Sequence, residues 1–357
     1  MPEPTPNNPP HFASLDADLT PLVVRVPKHL WAAAGSRLVG QSLVDVEVAG
    51  QRLVDAADTV GIDFGLCWGI LESNPALSPA MSPKVRQACL AVLGNGRTAM
   101  LFTSEPPRGG DPGGASQGFA ERVACLKVTC QELARGFRDR AHLAQALPEP
   151  SEAWAIAALQ AAGLTRITTL LYLKRLDTAR VSQLLQSTLV LAPAHVWPPG
   201  MAVRRADEYG SSLDNCLMRA LEGSYESTLD CPELCGLRTT GDVLASHKAA
   251  GDFDPSLWWV LERDGQPEGC CLMTPSKQQR TLELVYLGLS PRARGMGLGA
   301  RLLGLGMAHA QAHHRRWPVL CAVDQRNAPA RALYERFGFE ETSRREAMVM
   351  GLQSAHA

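Results

Sequence analysis

No stretch of this chain approaches the ~18 uninterrupted apolar residues that a membrane-spanning helix requires, so neither a transmembrane span nor a membrane partner is expected. An excess of charge is equally absent. The net charge of −1 gives no electrostatic basis for binding nucleic acid or an anionic lipid surface. A short, regular cysteine framework is missing too: the ten cysteines, at 67, 89, 125, 130, 216, 231, 235, 270, 271 and 321, lie mostly inside apolar runs. They read as buried, reduced thiols, which points to the cytoplasm. Cys231 and Cys235 have no second Cys/His pair nearby, and His309 and His313, one helical turn apart, lack a third ligand, so no metal is expected. The first eleven residues hold five prolines and no apolar core; 1–12 reads as a disordered tail rather than a signal peptide.

What is present is 357 residues, 45% of them hydrophobic, which is more than one domain needs and enough for a sizeable core. In the first half, Val85 to Leu93 and Thr98 to Thr103 form a hairpin through Gly94-Asn95-Gly96-Arg97, with Asn-Gly as the turn signal. A glycine- and proline-rich loop, Pro106 to Gly118, follows. Phe119 to Arg135 then reads as a helix, His142 to Leu147 as a strand, Ser151 to Ala162 as a helix capped by Ser151, and Ile167 to Leu173 as a buried strand. Trp197-Pro198-Pro199-Gly200 marks a boundary.

Beyond it the expected order is a strand at Val203 to Ala206, helices at Ser211 to Leu221 and Thr239 to Ala250, and strands at Trp258 to Glu262 and Gly269 to Met273, joined through Asp264-Gly265. A strand at Thr281 to Leu289, a helix at Leu298 to His314, a strand at Val319 to Val323, a helix at Ala328 to Phe337 and a strand at Ala347 to Leu352 complete it. This is a mixed α/β arrangement with antiparallel hairpins feeding one crossover.

The segment between Leu289 and Ala300 carries the chemistry. Gly295, Gly297 and Gly299 alternate between a strand and a helix N-terminus, where outward-pointing amides and the helix dipole make an anion cradle. Gly295-Met296-Gly297-Leu298-Gly299-Ala300 also fits the dinucleotide fingerprint, with Asp324 at the end of a later strand. Against that reading, 33 residues after Asp324 are too few for the remaining parallel strands, and hairpins precede the motif.

Arg294-Gly295-x-Gly297-x-Gly299 resembles the acyl-CoA signature of the GNAT acetyltransferases, and Asn327-Ala328-Pro329-Ala330-Arg331-Ala332-Leu333-Tyr334-Glu335-Arg336-Phe337-Gly338-Phe339 resembles that family's second hallmark. The resemblance covers roughly Ala202 to Leu352. It implies a fold whose central strands splay, with the pantetheine arm of acetyl-CoA pairing with Leu287 and Leu289 and with Gly288 allowing its close approach. The pyrophosphate would sit on the amides of Gly295, Met296, Gly297, Leu298, Gly299 and Ala300, with Arg294 and Arg292 as counter-charges; Arg331 is counted with the donor contacts. Tyr334 would protonate the departing thiolate, its alternative role being packing against Phe337. Glu283, placed by alternation on the face of Val285, Leu287 and Leu289, is either a general base or a solvated strand-end carboxylate. Asn327 caps a helix and is a candidate pantetheine contact. The Leu289 amide is a candidate donor to the thioester carbonyl.

The first half repeats the α-β-α-β order that ends the second but lacks the signature at its phosphate-loop position, so it reads as a degenerate GNAT-like module. The tandem arrangement, and the run Gly251-Asp252-Phe253-Asp254-Pro255, resemble the mycothiol synthases. The expected division is therefore a tail at 1–12, a degenerate module at 13–180, a linker at 181–200 and a catalytic module at 201–357, each module a mostly antiparallel mixed sheet flanked by helices. The expected activity is acetyl transfer from acetyl-CoA to a primary amine of a small molecule or protein, by a monomer or weak dimer. A non-catalytic acyl-CoA sensor and a dinucleotide-binding oxidoreductase are the alternatives. Trp258, Trp259 and Asp254 are candidates to line the acceptor groove.

Overall fold

A computed structural model describes residues 18–40, 45–72, 84–106, 116–176 and 197–352. The expected tail at 1–12 and most of the Pro106 to Gly118 loop and of the 181–200 linker lie outside them. The fold is mixed α/β, and it divides into two compact units: residues 1–93, 99–165 and 348–357 in one, residues 94–98 and 166–347 in the other. Among the described residues no helix is long and apolar enough to cross a membrane, and all ten cysteines are free, eight of them buried.

The first unit contains β1 (Val24–Arg25), α1 (Trp31–Leu38), α2 (Val46–Ala57), β2 (Cys67–Glu72), β3 (Lys84–Gly94), β4 (Thr98–Thr103), α3 (Gln117–Gly136), β5 (Leu143–Ala146) and α4 (Ala153–Ala161). Its strands lie in the order β1-β2-β3-β4-β5, and Met348–Gly351 adds antiparallel to β5. The hairpin turns as expected, but the left-handed residues are Gly96 and Arg97 rather than Asn95. Ser151 does not cap α4. Helical geometry starts later, after Glu152, whose carboxylate folds back onto the Glu149 amide at 2.6 Å.

The second unit contains β6 (Thr165–Arg175), β7 (Met201–Arg205), α5 (Leu213–Tyr225), α6 (Thr240–Lys248), β8 (Trp258–Arg263), β9 (Gln266–Ser276), β10 (Thr281–Leu289), α7 (Leu298–His313), β11 (Val319–Asp324), α8 (Ala328–Arg336) and the strand β12 (Glu340–Gly351), whose last residues pass to the first unit. Strand order from the β6 side is β6-β11-β10-β9-β8-β7. In that order β10 and β11, linked by α7, run parallel; β6 joins β11 antiparallel along Val319 to Asp324. At the β8–β9 turn Asp264 and Gly265 both have positive φ, 50° and 74°, as a two-residue hairpin of this twist requires. Thr239 and Asp242 form a capping box at the start of α6. The core between sheet and helices is Trp258, Leu261, Leu272, Met273, Leu302, Leu303 and Met307, all fully buried. Each such side chain contributes roughly 1.5–3 kcal/mol.

Candidate active site

The strands β10 and β11 pair at Leu282 with Val319 and at Glu283 with Leu320, and no further. Beyond that point β10 continues against β9 as far as Leu289, and β11 continues against β6 as far as Asp324. A β-bulge between Leu284 and Tyr286 coincides with the parting, and an extra residue in one strand bends it away from its neighbour. The wedge between the diverging strands opens into a cavity of about 640 Å³, lined by Leu284 to Leu289 on one side and by Ala322, Val323, Asn327 and Tyr334 on the other.

Its far end is closed by the glycine turn. Gly295 and Gly297 have φ of 75° and 72°, and Gly297 is the N-cap of α7 without a capping side chain. That geometry leaves the first amides of α7 unbonded within the helix and directs the dipole's positive end into the cavity, which Gly295, Gly297, Leu298, Gly299 and Ala300 all line. The Arg294 side chain pins this turn. Arg294 donates from Nε to the Leu289 carbonyl, from Nη1 to that of Ser227, and from Nη2 to those of Ser224 and Glu226, joining the end of β10 to the C-terminus of α5. Arg292, Met296 and Arg331 do not line the cavity: the Arg292 carbonyl accepts from Arg263, Met296 is exposed, and Arg331 donates to the Gln325 carbonyl.

The bulge corrects one expectation about β10. Glu283 stands opposite Thr274 and Tyr286 opposite Leu272, both on one face of β9, whereas Leu287 and Leu289 stand opposite Cys271 and Gly269 on the other. Glu283 therefore shares a face with Tyr286 and Gly288, not with Leu287 and Leu289. Gly288 itself lines the cavity. A Cβ there would lie 2.6 Å from the Tyr286 ring, so the missing side chain makes room for that tyrosine, whose hydroxyl pairs with the Ser224 hydroxyl at 2.7 Å. Glu283 does not line the cavity; it is exposed, yet the atoms packed around its carboxyl raise its pKa above the ordinary value.

Tyr334 is 6% exposed and packs against Phe339, at 5.5 Å between ring centres. Its hydroxyl has no hydrogen-bond partner among the described residues, and burial raises its pKa well above 10, which keeps the phenol protonated. Asn327 caps α8 by accepting the Ala330 amide at 3.2 Å. Trp258, Trp259 and Asp254 are not at this cavity: Trp258 is core, Trp259 packs on His309 and Asp254 caps a short turn before β8.

One acid lining the cavity escaped the sequence reading. Asp230, in the loop after α5, accepts the Asp324 amide at 2.9 Å; burial raises its pKa, and that hydrogen bond partly offsets the rise. The loop is held by Asp324 and Arg326. Asp324 is fully buried and accepts from Thr168, the Cys231 amide and Arg326, which also forks onto Glu233. Burial alone would raise the Asp324 pKa, but the hydrogen bonds outweigh it and bring it down to about 2. Because the folded value is depressed, the stabilisation, about 2 kcal/mol at one unit of pH per 1.36 kcal/mol, is present above pH ~4 and fades towards pH 2. Asp324→Asn should flatten the acid limb of Tm against pH in that window.

With this geometry in hand, residues 225–339 match the family model described as Acetyltransferase (GNAT) family. Those residues form a GNAT acetyltransferase domain. A mycothiol acetyltransferase of Streptomyces griseus is 35% identical over 100 residues, 28% of this chain and 32% of that protein. One from Thermomonospora curvata is 32% identical over 215 residues, 58% of this chain and 64% of its own length. The chain thus spans about a third of the first relative and slightly under two thirds of the second. A GCN5-related N-acetyltransferase from Sphaerobacter thermophilus superposes with a TM-score of 0.56 at 16% identity, covering 93% of this chain and 96% of that one, a likeness of fold. The GNAT domain contains the parted strands, the glycine turn and Tyr334. It starts at Tyr225, the last residue of α5, so the Arg294 tether lies almost wholly within it.

Proposed function

We infer that the GNAT domain transfers an acetyl group from acetyl-CoA to a primary amine by direct attack in a ternary complex. The observation that carries this reading is that one cavity joins an open strand edge, a helix N-terminus free of side chains and a protonated tyrosine. An extended pantetheine arm can pair with the free edge at Leu287 and Leu289 while the pyrophosphate rests on the amides from Gly295 to Ala300. The amine nitrogen attacks the thioester carbonyl carbon, polarised by the Leu289 amide; the C–S bond breaks; the Tyr334 hydroxyl protonates the leaving sulfur; and Glu283, which stands outside the cavity lining, accepts the amine's proton through water. Residues 201–357 are the catalytic module in this reading, and 13–180 a degenerate relative of it.

Acetyl-CoA-dependent thiol release across an amine panel tests the activity, with a mycothiol-type acceptor first because the curated relatives carry that name. Thiol release is expected with at least one amine. Binding of acetyl-CoA with no release from any amine would favour a sensor, and a thermal shift with NAD but none with acetyl-CoA would favour a dinucleotide enzyme. If Glu283 is the base, kcat/KM rises with pH through a pKa above the usual carboxylate value, and Glu283→Gln abolishes that limb. A limb that survives Glu283→Gln but disappears in Asp230→Asn assigns the proton to Asp230 instead.

A further inference from the structure

The first unit has a cavity of its own, about 430 Å³, between the start of β3 and the N-terminus of α3, and it shares no residue with the donor cavity. Four cations line it, Arg37, Lys84, Arg86 and Arg122, against two carboxylates, Glu72 and Glu121, which leaves two positive charges in excess. We propose that this cavity binds a small phosphorylated ligand, whose dianionic group is held by Arg122, Arg86 and Lys84 at the N-terminus of α3.

Arg122 is the decisive residue. It is 3% exposed, its Nε donates to the Ser104 carbonyl at 2.8 Å, and its guanidinium stands 5.0 Å over the Trp154 ring. Held in this way, its Nη2 has no hydrogen-bond partner among the described residues. A buried guanidinium nitrogen without an acceptor carries a desolvation cost that a bound oxygen would relieve. The acids nearby do not supply that acceptor. Glu121 is already taken by Arg86 at 2.6 Å and by Gln117 at 3.0 Å, and Arg37 is fixed on the carbonyls of Arg86 and Glu105. Burial, reinforced by the charge of Arg37 and partly offset by that of Glu121, lowers the Arg122 pKa to about 10.

The helix adds to this. α3 is 20 residues long and is capped by Ser116, whose hydroxyl accepts the Phe119 amide at 3.2 Å. Gly118 lines the cavity and has no side chain to shield the first-turn backbone, so the dipole's positive end faces the same space as the cations. Two guanidiniums and a helix N-terminus suit a group with three oxygens and two charges better than a carboxylate with one. A volume of 430 Å³ exceeds what one phosphate fills and leaves room for a small organic moiety.

The test uses the full chain with its donor loop saturated by acetyl-CoA, titrated calorimetrically at constant ionic strength with inorganic phosphate, glucose 6-phosphate, succinate and chloride. The two phosphates are expected to bind saturably, and Lys84→Gln and Arg122→Gln to weaken them at least tenfold while the acetyl-CoA Kd stays unchanged. Lys84 is exposed, so its variant reports even if Arg122→Gln fails to fold. Phosphate heats no larger than those of succinate and chloride, heats that vanish once acetyl-CoA is present, or an affinity unaltered in Lys84→Gln would each overturn the proposal.

Discussion

Tyr334→Phe is expected to lower kcat for acetyl transfer by about 10²- to 10⁴-fold, the range that a positioned proton donor contributes, while leaving the Kd for acetyl-CoA unchanged. The two halves of that expectation have separate physical grounds. The ring stays: Phe fills the same volume between Phe339 and the cavity wall, so the cavity keeps its shape. The hydroxyl goes, and because no described protein group is bonded to it, its loss strands no partner and stability changes little. What is lost is a neutral acid lining the space between the parted strands. Pre-steady-state acetyl transfer with a saturating amine, set beside equilibrium binding of acetyl-CoA, separates the two. A catalytic defect smaller than threefold with unaltered binding would remove Tyr334 from the chemistry and leave it a wall residue, as the packing reading of the sequence allowed.

How much of this could be read in the chain depended on whether a feature was local. Thr281–Leu289 was expected at its observed bounds because nine residues of apolar character end at a proline and a glycine turn, and the Asp264-Gly265 hairpin followed from two residues that tolerate positive φ. The strand β12 was half-seen: its apolar end was legible, but Glu340 to Arg345 are polar and largely exposed, so hydrophobic alternation gave no signal there. The bulge at Val285 was invisible, because a register shift is a relation between two strands and both faces of β10 carry large residues. That hidden shift moved Glu283 to the face of Tyr286. Asp230 escaped for a similar reason. It sits in a loop with no periodicity, and only the fold brings it beside Asp324, 94 residues away.

Arg294 was read as a counter-charge to pyrophosphate, and its surroundings suggest a second role with a large and separable consequence. Arg294→Met should cost about 3 kcal/mol, because four carbonyls lose a cationic donor worth roughly 1.5–3 kcal/mol each in isolation, and these bonds are neither independent nor fully buried. A loss of that size corresponds to a Tm lower by roughly 6–12 °C for a unit of this length. The KM for acetyl-CoA should rise at least tenfold with it, since the glycine turn would no longer be fastened to β10 and α5. Arg294→Lys decides between the roles. A lysine keeps the charge but has no planar fork, and it cannot reach carbonyls on two elements at once. A tether predicts that Lys behaves like Met in both Tm and KM. A point charge for pyrophosphate predicts that Lys restores KM while Met does not. Because the carbonyls occupy four of the five guanidinium N–H groups before any donor arrives, the tether outcome is the expected one.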